Sequence, residues 1–227
     1  MVSKHPILCL SDTHFPACDM SKIKQMFSLV STMNFKYICH LGDLTDQFSQ
    51  SRFPKNPNYM TPEQETVMSR ALSEEMWYGF QKHFPKAKKF QLSGNHCSPR
   101  QIKNVLSKVP EVFHFMDLKS FMTFDNVETL HDYRDNLVIE KINFIHGFSS
   151  KLGFHADYFQ DNVVCGHSHR AGLLPIRLKG KTIFEFNVGY LGDPAHPFLS
   201  YTPFKKINKW TPGFGIIDHL GARFIAL

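Results

Sequence analysis

Residues 163–170 read Val-Val-Cys-Gly-His-Ser-His-Arg, and this stretch indicates how the rest of the chain is organised. An apolar run stops at a glycine, which predicts a buried strand followed by a turn. In extended backbone, His167 and His169 would point in the same direction because side chains alternate with a period of two. Two imidazoles at one strand end supply half of a metal site. We therefore expect polar side chains at other strand ends to complete it.

Length and composition are typical of one globular domain covering residues 1–227, with 42% hydrophobic residues. A formal charge of +6 and a pI near 9.0 suit an anionic partner such as phosphate or nucleic acid, although many soluble proteins carry a similar excess. The five cysteines are scattered without a CxxC pair, which indicates a reducing compartment. Because no apolar run reaches membrane-spanning length and no signal sequence is apparent, we expect a cytoplasmic protein without a membrane partner. Composition leaves the oligomeric state open.

The first part of the chain alternates short apolar runs with helical patterns. Residues 7–10 predict a strand, residues 23–33 repeat apolar side chains at helical spacing, and residues 37–41 predict a second strand. A strand, a helix and a strand in this order form a parallel unit, so both strands end at the same edge of the sheet. The polar residues at these two ends should therefore be neighbours: Asp12, His14 and Asp43.

The alternation continues to residue 109. Residues 47–60 lack periodicity and predict a surface loop beside the site. A capping box predicts a helix over residues 61–80, because Thr, Pro and Gln stand where a helix start favours them. Residues 90–93 predict a third strand that leads to Asn95, and a second capping pattern predicts a helix over residues 98–109.

The second part of the chain is richer in strands. Residues 127–130 and 137–140 predict two strands of a meander, and residues 142–145 predict a strand that leads to His146. A short helical stretch separates it from the strand before His167. Two hairpins are predicted near the C-terminus: residues 173–176 with 183–188, and residues 215–218 with 223–226.

Seven polar residues thus follow predicted strand ends: Asp12, His14, Asp43, Asn95, His146, His167 and His169. A mixed set of oxygen and nitrogen ligands suits Mn, Fe or Zn better than Ca or Mg. Seven ligands exceed what one tetrahedral ion needs, so the economical interpretation is two ions that share one carboxylate.

The five short motifs around these residues resemble the ordered motifs of the calcineurin-like metallophosphoesterases, a family that includes purple acid phosphatases and Mre11-type nucleases. They are Asp12-Thr13-His14, Gly42-Asp43, Gly94-Asn95-His96, His146-Gly147 and Gly166-His167-Ser168-His169. Two later segments, Asn187–Asp193 and Trp210–Gly215, resemble small phosphoesterases of phages and bacteria. The resemblance implies an α/β fold, a four-layer αββα sandwich of two mixed β-sheets flanked by helices, with the site at the carboxyl ends of strands.

The resemblance also implies a role for each residue. Asp12, His14 and His169 would hold one metal, Asn95, His146 and His167 the second, and Asp43 would bridge the two. The ions would be two divalent cations, with Mn²⁺ favoured and Fe, Zn or Ni as alternatives. A hydroxide between them would attack phosphorus, and His96 would protonate the leaving oxygen, which makes His96 and Asp43 the catalytic residues. Asp46, at the spacing GDxxD, would support the ligands rather than bind a metal.

Departures from the family pattern bear on the substrate. In the phosphoprotein-phosphatase branch an acid follows the GNH motif, and here Cys97 takes its place. Arg100 also lies one position later than that branch requires, which disfavours a protein substrate. Arg100 and Arg170 are candidate contacts for substrate phosphate, and a solvated surface charge is an equally frequent role for such arginines.

The sequence leaves three functional hypotheses. The first is a phosphodiesterase acting on nucleic acid or a nucleotide, because the chain is basic and carries lysine clusters and aromatic loop residues of the kind that stack on bases. These residues are Lys82, Lys86, Lys88, Lys89, Lys205, Lys206 and Lys209, with Phe48, Phe53 and Tyr59. The second is a phosphomonoesterase acting on a small metabolite, a nucleotide or a phosphoprotein. The third is a catalytically silent binding protein, which the intact ligand set and His96 disfavour.

Overall fold

The computed structural model describes residues 3–51, 53, 59–97, 121–197 and 207–227, which form two β-sheets with helices against their outer faces. The strands in chain order are β1 (Ile7–Leu10), β2 (Tyr37–His40), β3 (Lys88–Leu92), β4 (Val127–Leu130), β5 (Leu137–Ile139), β6 (Ile142–Ile145), β7 (Val163–Cys165), β8 (Ala171–Leu178), β9 (Lys181–Val188), β10 (Gly213–Asp218) and β11 (Gly221–Ala226). The helices are α1 (Met20–Val30), α2 (Pro62–His83) and α3 (Phe154–Phe159), and Phe48–Gln50 form a 3-10 turn. The helix predicted over residues 98–109 lies outside the described residues.

Both sheets contain parallel and antiparallel neighbours. The first has the strand order β11-β10-β1-β2-β3-β4, in which β1 to β4 are parallel and β10 runs antiparallel to β1. The second has the order β5-β6-β7-β9-β8, in which β6, β7 and β9 are parallel. The predicted parallel unit of β1, α1 and β2 is confirmed, and so are the hairpins β8–β9 and β10–β11.

The predicted meander of residues 127–130 and 137–140 is wrong. β4 pairs in parallel with β3 at the edge of the first sheet, whereas β5 pairs antiparallel with β6 in the second. Residues 131–136 therefore carry the chain from one sheet to the other. The local pattern identifies each strand, but the choice of partner depends on which apolar face the rest of the chain covers.

Apolar clusters separate four layers. α1 and α2 pack on the first sheet through side chains that include Ile23, Met26, Trp77 and Phe80. The two sheets face each other across a second cluster that includes Ile7, Cys39, Phe144 and Phe186. A third cluster, which includes Ala156, Val163, Cys165 and Ile183, joins the second sheet to α3. This arrangement confirms the four-layer αββα sandwich, and all five cysteines are buried as free thiols within it.

The helices begin where the side chains favour it. Asp19 caps α1 by accepting a hydrogen bond from the backbone N–H of Ser21 at 2.8 Å. Thr61 and Gln64 form the predicted capping box at the start of α2, which extends three residues beyond its predicted end to reach His83. None of the helices in the described part of the chain is long and apolar enough to cross a membrane.

Candidate metal centre

Five strands deliver polar residues to one edge, where the two sheets meet. The residues at or just after the ends of β1, β2, β3, β6 and β7 are Asp12, Asp43, Asn95, His146 and His167. Backbone hydrogen bonds of 3.0 Å run from Asp12 N to the Gly42 carbonyl and from His14 N to the Asp43 carbonyl. The N–H of His167 donates to Oδ2 of Asp12 at 2.9 Å and so connects the second sheet to the first. The predicted proximity of Asp12, His14 and Asp43 is confirmed.

Five of these polar residues lie in the left-handed backbone region that residues other than glycine rarely adopt. Their φ angles are 53° for Asp12, 51° for His14, 49° for Asp43, 67° for His167 and 59° for His169. Such conformations cost about 1–3 kcal/mol each and persist where the surrounding structure determines them, often at functional sites. The predicted extended backbone at His167 and His169 is therefore wrong, and the turn directs the two imidazoles into different clusters.

The first cluster contains Asp12, His14 and His169. The two Nε2 atoms of His14 and His169 are 3.1 Å apart. Oδ1 of Asp12 lies 3.3 Å from Nε2 of His169 and 3.8 Å from Nε2 of His14. Oδ2 of Asp43 approaches the cluster at 3.9 Å from Nε2 of His14. Four atoms that can donate electron pairs to a cation thus face one another.

The second cluster contains Asn95, His146 and His167, and Asp43 belongs to it as well. Oδ1 of Asn95 lies 3.0 Å from Nε2 of His146 and 2.9 Å from Nδ1 of His167. Oδ2 of Asp43 lies 3.3 Å from Nε2 of His146. The same oxygen of Asp43 therefore faces both clusters, while its Oδ1 accepts a hydrogen bond from the backbone N–H of His96 at 2.8 Å.

Hydrogen bonds on the outer side of two histidines determine which ring nitrogen faces the clusters. Nδ1 of His14 lies 3.1 Å from Oδ1 of Asp46, and Nδ1 of His146 lies 2.9 Å from the Leu41 carbonyl oxygen. A carboxylate and a carbonyl only accept, so Nδ1 donates in both cases and Nε2 of the neutral ring presents a lone pair inward. Acceptor atoms that face one another need a cation or additional protons between them. Each cluster therefore fits a divalent cation.

The pKa values of these groups also indicate that the two clusters favour positive charge. Burial opposes protonation of His14, but Asp12, Asp46 and Asp43 outweigh it and raise the pKa of His14 to about 10. Burial likewise opposes protonation of His146, and the charge of Asp43 raises its pKa to about 9. Burial favours neutral Asp43, yet the neighbouring His146 and His96 hold the pKa of its carboxyl well below the usual range. The two clusters together thus form an acidic site that attracts cations.

Glycines allow the loops to approach this closely. A Cβ atom on Gly42, whose φ is 102°, would lie 2.7 Å from Nδ1 of His146 and 2.8 Å from the Ser93 carbonyl oxygen. Gly94 packs against the Asp43 carboxylate and backbone, so a side chain there would displace Asp43. These two positions of the Gly42-Asp43 and Gly94-Asn95-His96 motifs are therefore required by packing inside the site.

His96 and Asp46 lie beside the clusters without belonging to the seven predicted ligands. Nδ1 of His96 is 2.7 Å from Oδ1 of Asp46, and its Nε2 is 3.9 Å from Oδ2 of Asp43. Asp46 is buried and contacts both His14 and His96 through the same oxygen. The His96 side chain keeps 22% of its surface exposed, whereas the side chains of Asp43 and Asp46 beside it are buried.

A further group of His155, Cys165 and Glu185 has ligand-like spacing but is internally satisfied. Nε2 of His155 accepts hydrogen bonds from the backbone N–H groups of Phe148 and Ser149 at 3.1 and 3.2 Å. Glu185 accepts hydrogen bonds from the backbone N–H groups of His155 and Ala156 in the first turn of α3, and from Nδ1 of His155. The ring nitrogens are thus already bonded, and the group secures the loop that follows His146.

The two arginines predicted to contact phosphate have different outcomes. Arg100 lies outside the described residues. Arg170 follows His169 directly, is half-buried, and its backbone N–H donates to Oγ of Ser168 at 3.2 Å. Its Nε is buried and has no hydrogen-bond partner among the described residues. A contact of Arg170 with phosphate stays a prediction.

The residues that suggested nucleic-acid binding are mostly placed elsewhere. Phe48 is buried and packs against Ala17 and Tyr59, so it cannot stack on a base. Lys89 is also buried, and its Nζ donates to the carbonyl oxygens of Phe84 and Ala87. The neighbouring lysines precede or begin β3, whereas the site lies beyond the end of that strand. They are Lys82, Lys86 and Lys88. Lys205 and Lys206 lie outside the described residues.

Two aromatic residues were not predicted as part of the site. Tyr190 and Trp210 both contact the ring of His169, with centroid distances of 5.1 and 4.4 Å. They lie in the two late segments whose resemblance to small phosphoesterases is noted above. Besides that resemblance, the sequence offers one signal, which is the position of Tyr190 just after an apolar strand and a glycine, the same context as the predicted ligands.

Comparison with solved structures finds similarity to several Vps29 chains at low sequence identity. A Vps29 from Chaetomium thermophilum is 15% identical with a TM-score of 0.47, over 96% of this chain and 82% of that one. A Vps29 from Cryptosporidium parvum is 15% identical with a TM-score of 0.46, over 95% and 85% of the two chains. Vps29 from Entamoeba histolytica, complexed with Zn²⁺, is 12% identical with a TM-score of 0.44, over 94% and 85%. No curated protein sequence matches significantly.

The family comparison covers most of the chain and includes every predicted ligand. The family model described as calcineurin-like phosphoesterase matches residues 5–173, which run from just before β1 to the start of β8. The matched region contains both clusters of histidine and aspartate side chains described above. The chain therefore belongs to the calcineurin-like phosphoesterase family.

Proposed function

We propose that this protein is a metal-dependent phosphoesterase that hydrolyses a phosphodiester of a nucleotide or nucleic acid. The observation that carries the reaction class is the position of Asp43 Oδ2, which faces His14 on one side and His146 on the other. Asp12, His14 and His169 would hold one divalent cation, Asn95, His146 and His167 would hold the other, and Asp43 would be shared. When bound, the two cations would activate water for attack and neutralise the charge of the phosphate.

The residues of the chain have separable tasks in this proposal. Asp46 and the Leu41 carbonyl orient His14 and His146 so that their Nε2 atoms face inward. His96 holds a proton on Nδ1 toward Asp46, and its Nε2 lies 3.9 Å from Oδ2 of Asp43, the carboxylate that faces both clusters. Burial opposes its protonation, but Asp43 and Asp46 raise the pKa of His96, which favours the protonated ring. A protonated Nε2 can donate to the oxygen that leaves phosphorus.

Charge and the placement of the basic and aromatic residues bear on the substrate. The basic composition and the exposed Lys209, which precedes Trp210 at the first cluster, favour an anionic substrate larger than phosphate itself. Buried Phe48 and Lys89 remove two of the features that suggested a nucleic-acid surface. Those two positions favour the second candidate, a phosphomonoesterase that acts on a nucleotide or another small metabolite. A catalytically silent binding protein is the third candidate, and the complete set of cluster residues argues against it.

The choice of cation is also part of the proposal. Oxygen and imidazole ligands without thiolate favour Mn²⁺, and they are compatible with Fe, Zn or Ni. Cysteine does not enter either cluster: each of the five thiols is buried, and burial raises the pKa of Cys97, the one nearest the Gly94-Asn95-His96 motif, to about 11. A thiolate-preferring metal is therefore disfavoured.

The test uses metal-free protein reconstituted with Mn²⁺. Hydrolysis of bis-p-nitrophenyl phosphate and of p-nitrophenyl phosphate is measured side by side, together with digestion of single- and double-stranded DNA. We expect metal-dependent turnover with a preference for the diester. A preference for the monoester with intact DNA would establish the phosphomonoesterase instead. Absence of turnover on all four substrates, with two Mn²⁺ bound, would contradict the proposal and favour the binding protein.

A further inference from the structure

The ring of His169 lies between two aromatic side chains from the C-terminal part of the chain. Tyr190 stacks on it with nearly parallel planes, at a centroid distance of 5.1 Å and an angle of 9°. Trp210 meets it edge to face at 4.4 Å and 69°, and the two aromatic rings contact each other at 5.2 Å. Tyr190 is completely buried and Trp210 is half-buried. Three rings thus form one packed unit at the first cluster.

His169 differs from the histidines whose outer nitrogen is hydrogen-bonded. Nδ1 of His14 is held by Asp46, and Nδ1 of His146 is held by the Leu41 carbonyl. Nδ1 of His169 is buried and has no hydrogen-bond partner among the described residues. Metal-binding histidines usually rely on such an outer hydrogen bond to fix the ring. Here the aromatic contacts are the interactions that can fix it.

The backbone around these aromatics is tied to the same cluster. The N–H of Thr211 donates to the His169 carbonyl oxygen at 2.8 Å. The N–H groups of Leu191 and Gly192 donate to the Asp12 carbonyl oxygen at 3.2 and 3.1 Å. Lys22 adds a contact from α1, since its Nζ lies 5.9 Å from the centre of the Tyr190 ring. The Tyr190 segment is therefore connected to two of the three residues of the first cluster.

The second cluster is supported differently. His146 is oriented by Leu41 and bonded to Asn95, and His167 is bonded to Asn95 and to Asp12. The aromatic contacts of Tyr190 and Trp210 in the described chain reach His169 and not His146 or His167. Both aromatics also lie beyond residue 173, where the family match ends. Two aromatic residues from outside the matched region thus support the first cluster through His169, and they do not contact the histidines of the second.

We propose that Tyr190 and Trp210 are positioning residues for the cation of the first cluster, which they serve by holding the His169 ring in its binding orientation. The inference rests on the proposed function, because it takes both clusters to bind cations. Loss of either aromatic frees the His169 ring to leave its orientation. The first cluster then binds its cation about 10–100-fold more weakly, and the second cluster keeps its affinity.

The tyrosine hydroxyl provides a matched control. Oη of Tyr190 is buried and has no hydrogen-bond partner among the described residues, so the stacking role does not use it. Tyr190→Phe keeps the ring and should keep both cation affinities, whereas Tyr190→Ala removes the ring. Phe80→Ala removes an equally buried aromatic from α2, where it packs against Phe27 and Trp77 and not against a cluster histidine, and controls for general destabilisation.

The experiment counts cations and identifies the one that is affected. Mn²⁺ is titrated into metal-free protein, and bound ion is measured by equilibrium dialysis. The proteins compared are the unmodified protein, Tyr190→Ala, Tyr190→Phe, Trp210→Ala and Phe80→Ala. We expect unmodified protein to bind two Mn²⁺ ions, and we expect Tyr190→Phe and Phe80→Ala to bind both with the same affinities as unmodified protein. In Tyr190→Ala and in Trp210→Ala, one of the two sites should weaken. Trp210 is half-buried, so its variant keeps the inference testable if Tyr190→Ala does not fold.

Fluorescence shows which site is involved. In Trp77→Phe the single remaining tryptophan is Trp210, and Co²⁺ bound beside His169 should quench it. We expect Tyr190→Ala in this background to need about 10–100-fold more Co²⁺ for the same quenching. Equal weakening of both sites, or unchanged binding with an altered KM alone, would overturn the inference. If unmodified protein binds no cation, the proposed function itself fails, and that result is distinct from a failure confined to the variants.

Discussion

The carboxylate of Asp46 lies 2.7 Å from Nδ1 of His96. The same oxygen lies 3.1 Å from Nδ1 of His14 on its other side, so one buried carboxylate contacts both a predicted metal ligand and the predicted proton donor. Its pKa is about 2, because the hydrogen bonds and charges of His14 and His96 outweigh the effect of burial. Asp46 is therefore ionised at neutral pH and favours a proton on His96.

Replacement of Asp46 by asparagine should test its effect on the proton of His96 and its effect on the orientation of His14. Asp46→Asn keeps the shape but removes the charge, so the pKa of His96 should fall and the alkaline limb of the pH–rate profile should move to lower pH. We expect a loss of about 10–100-fold in kcat/KM or in metal affinity, as is usual when a residue that orients a ligand is changed. The exposed Asp125→Asn is the control. An unshifted alkaline limb would show that Asp46 does not act on His96.

Replacement of Asp43 should affect both cations, because its Oδ2 faces both clusters. In Asp43→Asn we expect both Mn²⁺ sites to weaken and turnover to disappear. In Asp12→Asn, whose Oδ1 faces the first cluster alone, one cation should remain. Metal content after dialysis, measured by elemental analysis, distinguishes the two patterns. Full activity of Asp43→Asn would contradict a shared carboxylate.

His96 should be needed for chemistry and not for metal binding. In His96→Ala we expect both cations to stay bound while the rate falls about 10²–10⁴-fold, because general acid catalysis typically contributes that amount. The loss should be smallest for substrates with an acidic leaving group, since such a group departs without a proton. A series of aryl phosphate diesters of graded leaving-group pKa measures this. The same loss for every member of the series would argue against proton donation.

Metal binding should depend steeply on pH. The pKa values of His14 and His146 are raised to about 10 and about 9 in the metal-free protein, so both rings carry an extra proton at neutral pH. Each cation must displace such a proton, so its affinity should rise about tenfold per pH unit until pH approaches 9. Calorimetric titrations in buffers of different ionisation enthalpy count the released protons. An affinity that is constant between pH 6 and about 8 would contradict the release of a proton by each cation.

The same protons contribute to the stability of the metal-free protein. Because the folded-state pKa values are raised, this contribution is complete below about 6.5, the ordinary histidine value, and disappears as pH rises through about 9 to 10. Urea unfolding of metal-free protein at a series of pH values should show the decline. Saturating Mn²⁺ should abolish it, because the cation then replaces the protons.

Glu185 should matter for stability rather than for chemistry. It is buried and accepts hydrogen bonds from the N–H groups of His155 and Ala156 at 2.7 and 3.0 Å. Glu185→Ala leaves these donors unpaired and should lower the free energy of unfolding by about 1–3 kcal/mol for each. Although burial opposes ionisation, the hydrogen bonds from the His155 side chain and the Ala156 N–H lower the pKa of Glu185, so its contribution is present above the ordinary glutamate pKa and is lost as pH falls through the lowered one. Urea unfolding with Glu128→Ala, an exposed glutamate on β4, as the control provides the measurement.

The sequence by itself determined the strands, the parallel unit of β1, α1 and β2, and the set of residues that meet at the site. This was possible because strand periodicity is local and because parallel strands must end at the same edge. This rule groups the polar residues after β1, β2 and β3, and separately those after β6 and β7, because the two sets lie in different sheets. The resemblance of the motifs to the calcineurin-like family is what joined the two groups into one site.

Only the tertiary structure decided the partners of each strand and the direction of each ligand. The adjacent strands β4 and β5 belong to different sheets because distant apolar faces select their partners. His167 and His169 diverge because left-handed backbone, stabilised by contacts from elsewhere in the chain, replaces the extended form. Tyr190 and Trp210 reach His169 from positions more than twenty residues away in sequence. Contacts of this kind depend on how the whole chain packs, and no local pattern contains that information.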